Sequence, residues 1–472
     1  MQKKRFVANI IIMSSSMLII RLAAMSSNIY ISAKAGATAM GLYHMIFSIF
    51  TFGITFASSG TGFAVTRLVS EKRTNPQSIV KKCLRISIVM SFAGFCVFFF
   101  FAPLIQMHFT KNQSTVFAIR LLAFALPCMA TSAVLRGFFI ARRKVTIITA
   151  SSIFEEAVCI GVTLLLLNRL AGTQKAYLSL VFGCAVSNLT ACIFDTLAYR
   201  HYTGKSIFKT EEVKYKSIFK ICVPIAVGSY LRTGLVAAEN LLIPLQFAKY
   251  GLYNGVAEYG IIKAMAMMVI MFPTVFIQSF SSLLIPEMSE MNAGGRKNGI
   301  RYVFSKSISA VMMFSVFISL MLFCHHNIIS RSFFKEQKVS YYLGMLSLLP
   351  IPMYLDTVAD SILKGLNLQN SCLRYNIIDS FLRVFAIVIL MPQYGPVFYI
   401  AMLYISEIFN LALSLGKAFK TTGLKADWYC WVILPFLSAF SAFWFKNPII
   451  QTLIYVGMYY VGIKLNNKCD NL

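Results

Sequence analysis

The chain has 472 residues, of which 58% are apolar and only 13% are charged, and its mean hydropathy is +0.70. Soluble domains run nearer a quarter charged, so a soluble globular protein, a long disordered region and a large extramembrane catalytic domain are all excluded. A net charge of +27 would point a soluble protein toward nucleic acid, but in a chain this apolar the basic residues serve to fix orientation in a membrane, and no nucleic-acid partner is expected.

A helix crossing the hydrocarbon core needs about 20 mostly apolar residues. Such runs fall near residues 8–32, 40–66, 86–106, 115–135, 145–167, 176–198, 218–245, 256–285, 303–324, 340–363, 373–391, 396–416, 428–445 and 448–464. Each run is continuous rather than alternating, so helices are expected rather than strands. The chain therefore reads as an all-α polytopic membrane protein with about fourteen transmembrane helices. The first run follows Lys3, Lys4 and Arg5 as a signal peptide would. Its length and the Arg21 in its middle favour an uncleaved helix.

With both termini placed in the cytoplasm, the inner loops collect Lys3, Lys4, Arg5, Arg67, Lys72, Arg73, Lys81, Lys82, Arg85, Arg136, Arg142, Arg143, Lys144 and the basic stretch from Arg200 to Lys220. Far fewer cations fall outside, which supports both the orientation and the helix count. The 11 cysteines are scattered singly, without a Cys-x-x-Cys pair, and read as small packing residues. No disulfide framework, metal site or cofactor is expected.

The two halves correspond. Arg21 precedes Asn28 by seven residues in helix one, and Arg232 precedes Glu239 by seven in helix seven. An offset of 219 residues relates Gly41 to Gly260, Ser70-Glu71 to Ser289-Glu290, and His44 to Lys263. Leu135-Arg136-Gly137 matches Leu363-Lys364-Gly365 at an offset of 228. The expected organisation is an N-lobe at 1–199 (helices one to six), a basic cytoplasmic loop at 200–217, a C-lobe at 218–416 (helices seven to twelve), and two further helices at 417–472. Parallel six-helix repeats that rock around a shared midplane cavity are a transporter signature.

A charge near the bilayer centre is costly and faces a cavity or a partner. Arg21 and Arg232 hold matching places, and two guanidiniums suit a phosphate or pyrophosphate group. The competing reading pairs each with an acidic neighbour, Arg232 with Glu239 for example. Asn28 and Glu239 lie on the same helix faces as the two arginines. Lys263 and His44 would add positive character, although His44 also reads as a neutral packing residue and Lys263 as a snorkelling one. Arg120 reads as snorkelling. The intramembrane acids are Glu155 and Glu156 in helix five, Asp356 and Asp360 in helix ten, Asp379 in helix eleven and Glu407 in helix twelve. Asp356, Asp360 and Lys364 share a helical face, and Asp379 with Arg383 forms an i,i+4 pair. Glu155, Asp356, Asp360 and Asp379 are the candidates to carry a coupling proton or cation.

Ser58-Ser59-Gly60-Thr61-Gly62 lacks the Walker pattern and reads as close helix packing. No metalloprotease, nucleophile-elbow or nucleotide-binding motif occurs, and His325-His326 reads as incidental, so no catalytic residue is assigned.

Several stretches carry a family resemblance: Arg21, Ala35-Gly36, Gly41-Leu42-Tyr43, Arg67-Leu68-Val69-Ser70-Glu71, Arg136-Gly137-Phe138-Phe139, Leu242-Ile243-Pro244, Tyr259-Gly260, Ile285-Pro286-Glu287-Met288-Ser289-Glu290 and Leu363-Lys364-Gly365-Leu366. They resemble the stage V sporulation protein B family of polysaccharide transporters, within the multidrug/oligosaccharidyl-lipid/polysaccharide flippase superfamily. The resemblance implies two six-helix lobes around a central cavity and, as in the related lipid II flippases, two additional C-terminal helices. It implies a bacterial plasma-membrane location and translocation of an undecaprenyl-pyrophosphate-linked saccharide to the outer leaflet. Arg21 looks like a substrate-binding cavity arginine of those relatives, with Arg232 as its second-lobe counterpart. The family's arginine cluster in helix two is not matched here. Two alternatives stay open: a proton- or sodium-coupled multidrug extruder using the acids, and a non-transporting scaffold or membrane enzyme of envelope synthesis. The expected partners are the lipid-linked oligosaccharide and membrane lipids. Whether the protein works alone or with envelope-synthesis enzymes is left open.

Overall fold

Among the described residues every regular element is helical, as a solvent that cannot satisfy backbone groups requires. The computed structural model describes residues 22–71, 75–110, 115–170, 172–173, 175–203, 214–334, 336–424, 426–445 and 447–469. Residues 22–35 form α1. Then come α2 (Ala37–Ser58), α3 (Thr61–Ser70), α4 (Pro76–Ile105), α5 (Thr115–Ala141), α6 (Val145–Leu170), α7 (Tyr177–Thr203), α8 (Tyr215–Lys249) and α9 (Gly255–Tyr259). A π-helical turn at Gly260–Ala266 leads into α10 (Met267–Met271) and α11 (Thr274–Ala293). The chain continues through α12 (Lys297–Phe333), α13 (Gln337–Met345), α14 (Pro350–Gly365), α15 (Gln369–Ile389), α16 (Met391–Thr422), α17 (Leu434–Phe443) and α18 (Pro448–Cys469).

Eight of these spans are individually long and apolar enough to cross a membrane, and two bent pairs raise the number to 10. Of the remaining predicted runs, three coincide with α15, Tyr429–Phe443 and α18, and the run at 8–32 overlaps α1 at 22–32, its first part lying outside the described residues. α15 carries three charged residues, Arg374, Asp379 and Arg383, within its apolar run. The chain packs as two compact units, Met1–Gly260 and Ile261–Leu472.

In the first unit, α4 opens on Asn75, whose side chain accepts from the Gln77 amide at 2.9 Å, with Pro76 at the first helical position. Near the other end Pro103 supplies no N–H, which leaves the Phe99 carbonyl four residues earlier without its helical donor. Arg120 of α5 fills the vacancy. Its Nε donates to the Phe99 carbonyl at 3.2 Å, and its guanidinium lies 4.8 Å from the centre of the Phe99 ring. Arg120 thus repairs a proline break, where the sequence suggested only snorkelling.

The Ser58–Gly62 stretch divides one span into α2 and α3, with Ser59 (φ 43°) and Gly60 (φ 70°) both left-handed. Gly62 then packs on Gly137 of α5 so closely that a Cβ on Gly137 would stand 2.5 Å from the Gly62 carbonyl oxygen. Close helix packing is therefore what these glycines provide. An equally close crossing joins α2 to α9. A Cβ on Gly41 would lie 2.2 Å from the Val256 carbonyl oxygen, and one on Gly260 would lie 1.9 Å from that of Ala37. The pairs Ala37/Val256 and Gly41/Gly260 share the offset of 219, so each element offers the other the equivalent residue, as a two-fold contact demands. Beside it, Asn240 donates to Ser48 at 2.9 Å and accepts from Tyr259 at 3.0 Å.

The breaks of the two bent pairs, Gly255–Met271 with Thr274–Ala293 (56°) and Gln337–Met345 with Pro350–Gly365 (59°), both fall in the second unit and expose carbonyls there. Tyr354, fully buried, donates its hydroxyl to Ile270 at 2.7 Å, and Tyr404 donates to Met345 at 2.9 Å. The core lies among α11, α12, α14 and α16 around Phe304, Ile308, Tyr354 and Val358. α18 docks on α12 through a stripe four residues apart. Gln451 reaches the Cys324 sulfur at 3.3 Å, Tyr455 donates to Met313 at 2.8 Å, and the Tyr459 hydroxyl lies 3.0 Å from Ser309 Oγ.

Candidate substrate and coupling sites

Arg21 lies outside the described residues. Arg232, its counterpart on α8, is exposed and makes no ion pair with a described carboxylate, whereas Glu239, two turns on, is buried. Asn28 on α1 is half-buried. His44 on α2 is also half-buried and stands edge-on to Tyr43 at 5.7 Å. Lys263 is half-buried within the π-helical turn at Gly260–Ala266, an irregularity common at functional sites.

The acids divide between the two units. In the first, Glu155 of α6 and Asp195 of α7 converge on Arg136 of α5. Arg136 donates to Glu155 at 2.7 Å, to Asp195 at 2.9 Å and to Ser151 at 3.0 Å. Asp195 is fully buried, so its charge depends on this arginine. Reading the sequence placed Arg136 among loop cations and passed over Asp195. The available signal was a lone carboxylate in the apolar run 176–198.

In the second unit, Asp356, Asp360, Asp379 and Glu407 gather from α14, α15 and α16, close enough for their charges to bear on one another. Ser406 donates to Asp379 at 2.7 Å, and Arg383 pairs with the same carboxylate at 3.2 Å. Ser414 donates to Asp360 at 3.2 Å, and Lys364, half exposed, approaches Asp360 at 3.6 Å. Arg383 and Lys263 both act on Glu407 electrostatically. Among the described residues no group of three or more His, Cys, Asp or Glu is arranged to hold a metal ion. His326 is on α12, with Nδ1 2.9 Å from Ser340 Oγ.

The clusters occupy corresponding helices and differ in the residue at their centre. α5 ends at a left-handed Arg143 (φ 57°) and α14 at a left-handed Asn367 (φ 62°). Seven residues before these stand Arg136 and Asp360 respectively, so aligning the helix ends gives an offset of 224 and pairs Arg136 with Asp360, where the offset of 228 suggested Lys364. Where the first unit holds a guanidinium between two carboxylates, the second holds a carboxylate beside a serine and a loosely placed lysine.

Residues 6–292 match the family described as polysaccharide biosynthesis protein. Stage V sporulation protein B of Bacillus subtilis (strain 168) is 19% identical over 407 residues, covering 83% of this chain and 78% of that protein. The lipid II flippase MurJ in its inward closed conformation superposes with a TM-score of 0.71 at 13% identity, covering 98% of this chain and 100% of that one. An inward-facing multidrug resistance MATE family transporter of the MOP superfamily superposes with a TM-score of 0.66 at 12% identity, covering 87% and 97%. The chain is a multi-pass membrane protein that belongs to the polysaccharide biosynthesis protein family and has the fold of the MOP-superfamily transporters.

Proposed function

We propose that this protein is a flippase that carries an undecaprenyl-pyrophosphate-linked saccharide from the inner to the outer leaflet by alternating access between two six-helix lobes, with both termini cytoplasmic. The observation that carries the reading is Arg232, an exposed guanidinium on a membrane helix with no described carboxylate to neutralise it. An uncompensated arginine in a span is costly unless it meets an anion or water, and a pyrophosphate is matched by bidentate guanidinium donors. Arg21 supplies the second guanidinium, and Lys263, His44 and Asn28 supply further polar contacts. Family membership and the fold shared with the lipid II flippase support this substrate class.

In this reading the second unit drives the cycle. Asp360 sits where the first unit has Arg136, so its cluster has room for one more positive charge. A proton or monovalent cation there, shared with Asp356 and Asp379, supplies it. Glu155 is engaged by Arg136 and leaves the coupling role to these three. The same cluster would serve an extruder of organic cations, which is the second reading.

Both are tested in proteoliposomes. Translocation of a fluorescent undecaprenyl-pyrophosphate saccharide should occur with wild type, fail with Arg232→Ala, and lose its dependence on an ion gradient with Asp360→Asn. Transport of organic cations with no movement of the lipid would overturn the first reading in favour of the second.

A further inference from the structure

α5 and α7 lie side by side in the first unit and run in the same direction. Phe117 meets Phe182 toward one end, with ring centres 5.9 Å apart, and Phe138 meets Tyr199 toward the other at 5.1 Å, beside the Arg136–Asp195 pair. Between these contacts each helix carries a cysteine. Cys128 follows Phe117 by 11 residues, three helical turns, and so shares its face, while Cys192 follows Phe182 by 10. At about 1.5 Å per residue the two cysteines fall at nearly the same height. Their side chains meet there, the Cys128 thiol donating to the Cys192 sulfur. Residues scattered singly in the sequence are thus brought together as a dithiol.

Access and local freedom distinguish this pair from thiols that only fill space. Both cysteines are partly exposed. Phe117 and Phe124, on the Cys128 face of α5, are 53% and 60% exposed, and Leu189, one turn before Cys192, is 50% exposed. A small neutral oxidant dissolved among the lipids therefore has a path to the sulfurs. Cys83 and Cys222, which share a core cluster at 0% and 4% exposure, lack such a path. Pro127 immediately precedes Cys128 inside α5. It has no N–H to offer the carbonyl four residues earlier, so the helix is weakened there. The backbone can then yield over the short distance that turns a thiol contact into an S–S bond of about 2 Å.

We propose that Cys128 and Cys192 are a redox modification site, at which hydrogen peroxide closes a reversible disulfide that ties α5 to α7. One sulfur attacks a peroxide oxygen and the O–O bond breaks, leaving a sulfenic acid and a water that carries away the thiol proton. The second sulfur attacks the first and displaces hydroxide, which leaves with the second thiol proton as another water. The two thiols lose two electrons and the peroxide gains them. A reducing dithiol restores both thiols by exchange.

The test exposes the full-length detergent-solubilised protein to hydrogen peroxide, caps the remaining thiols with N-ethylmaleimide, and reads intact and peptide masses. Wild type should lose both cappable thiols to a Cys128–Cys192 cross-linked peptide, and dithiothreitol should restore them. Cys128→Ser and Cys192→Ser should each give no cross-link. The cysteine left in each variant should stop at the sulfenic acid, trapped by dimedone, or pass to the sulfinic acid, which dithiothreitol does not reverse. Cys83→Ser/Cys222→Ser should cross-link as wild type does. Peroxide should also raise the melting temperature of wild type and not that of the two single variants, because only wild type gains a tie between distant segments. The wild-type cross-link decides the matter even where a variant folds poorly. Wild type whose Cys128 and Cys192 both stay cappable after peroxide would overturn the proposal. So would a Cys192 that bonds other cysteines as readily as Cys128.

Discussion

Replacing Arg136 by methionine should destabilise the first unit more than any other single charge removal among its described ion pairs. The guanidinium holds Glu155 at 2.7 Å and Asp195 at 2.9 Å, and the Asp195 side chain is 0% exposed. Removing one member of a buried pair leaves the other charged and unsolvated, at a cost of about 3–5 kcal/mol. Asp195→Asn keeps the shape and removes only the charge-assisted part of one bond, about 1.5–3 kcal/mol. Glu155→Gln should cost less again, because its side chain is 23% exposed and water screens it. Combining Arg136→Met with Asp195→Asn should cost less than the two single changes summed, since the second removes the charge that the first orphans. Equilibrium unfolding of the purified protein in bicelles, titrated with a denaturing detergent, measures all four. Additive effects, or an Arg136→Met variant as stable as wild type, would refute the reasoning.

Two other local arguments are open to test. Gly41→Ala and Gly260→Ala each place a methyl group against backbone, 2.2 Å and 1.9 Å from a carbonyl oxygen. Each should cost about 1–3 kcal/mol by the same unfolding titration, and the double variant should fall short of the sum, because the first methyl already parts α2 from α9. Arg120→Leu should destabilise by about 1.5–3 kcal/mol, and by clearly less in a Pro103→Ala background, where an alanine N–H satisfies the Phe99 carbonyl instead; an undiminished effect there would dissociate Arg120 from the proline break.

The helices were legible because lipid imposes one rule on every span, a long continuous apolar run, and wherever such a run falls among the described residues it coincides with a helical segment. α15 shows the limit of that rule: its charges lower its hydropathy, yet two of them, Asp379 and Arg383, belong to the acid cluster, where Asp379 accepts from Ser406 and pairs with Arg383. The repeat was legible at Gly41 and Gly260 since a close crossing tolerates only glycine, and the structure brings that pair into contact. The partners of the charged residues were not legible. Arg136 ends an apolar run and reads like any inner-loop cation, because sequence spacing along α5 says nothing of Asp195 on α7. Asp356, Asp360, Asp379 and Glu407 were each visible as costly intramembrane acids, but only packing of α14, α15 and α16 makes them one cluster.

The most direct test of the central claim is rescue of bacteria depleted of their own lipid II flippase, with wild type, Arg21→Ala and Arg232→Ala compared at matched membrane expression. Growth restored by wild type and by neither variant is the predicted result. Full rescue by both variants would contradict the claim that these guanidiniums hold the pyrophosphate of the lipid-linked saccharide.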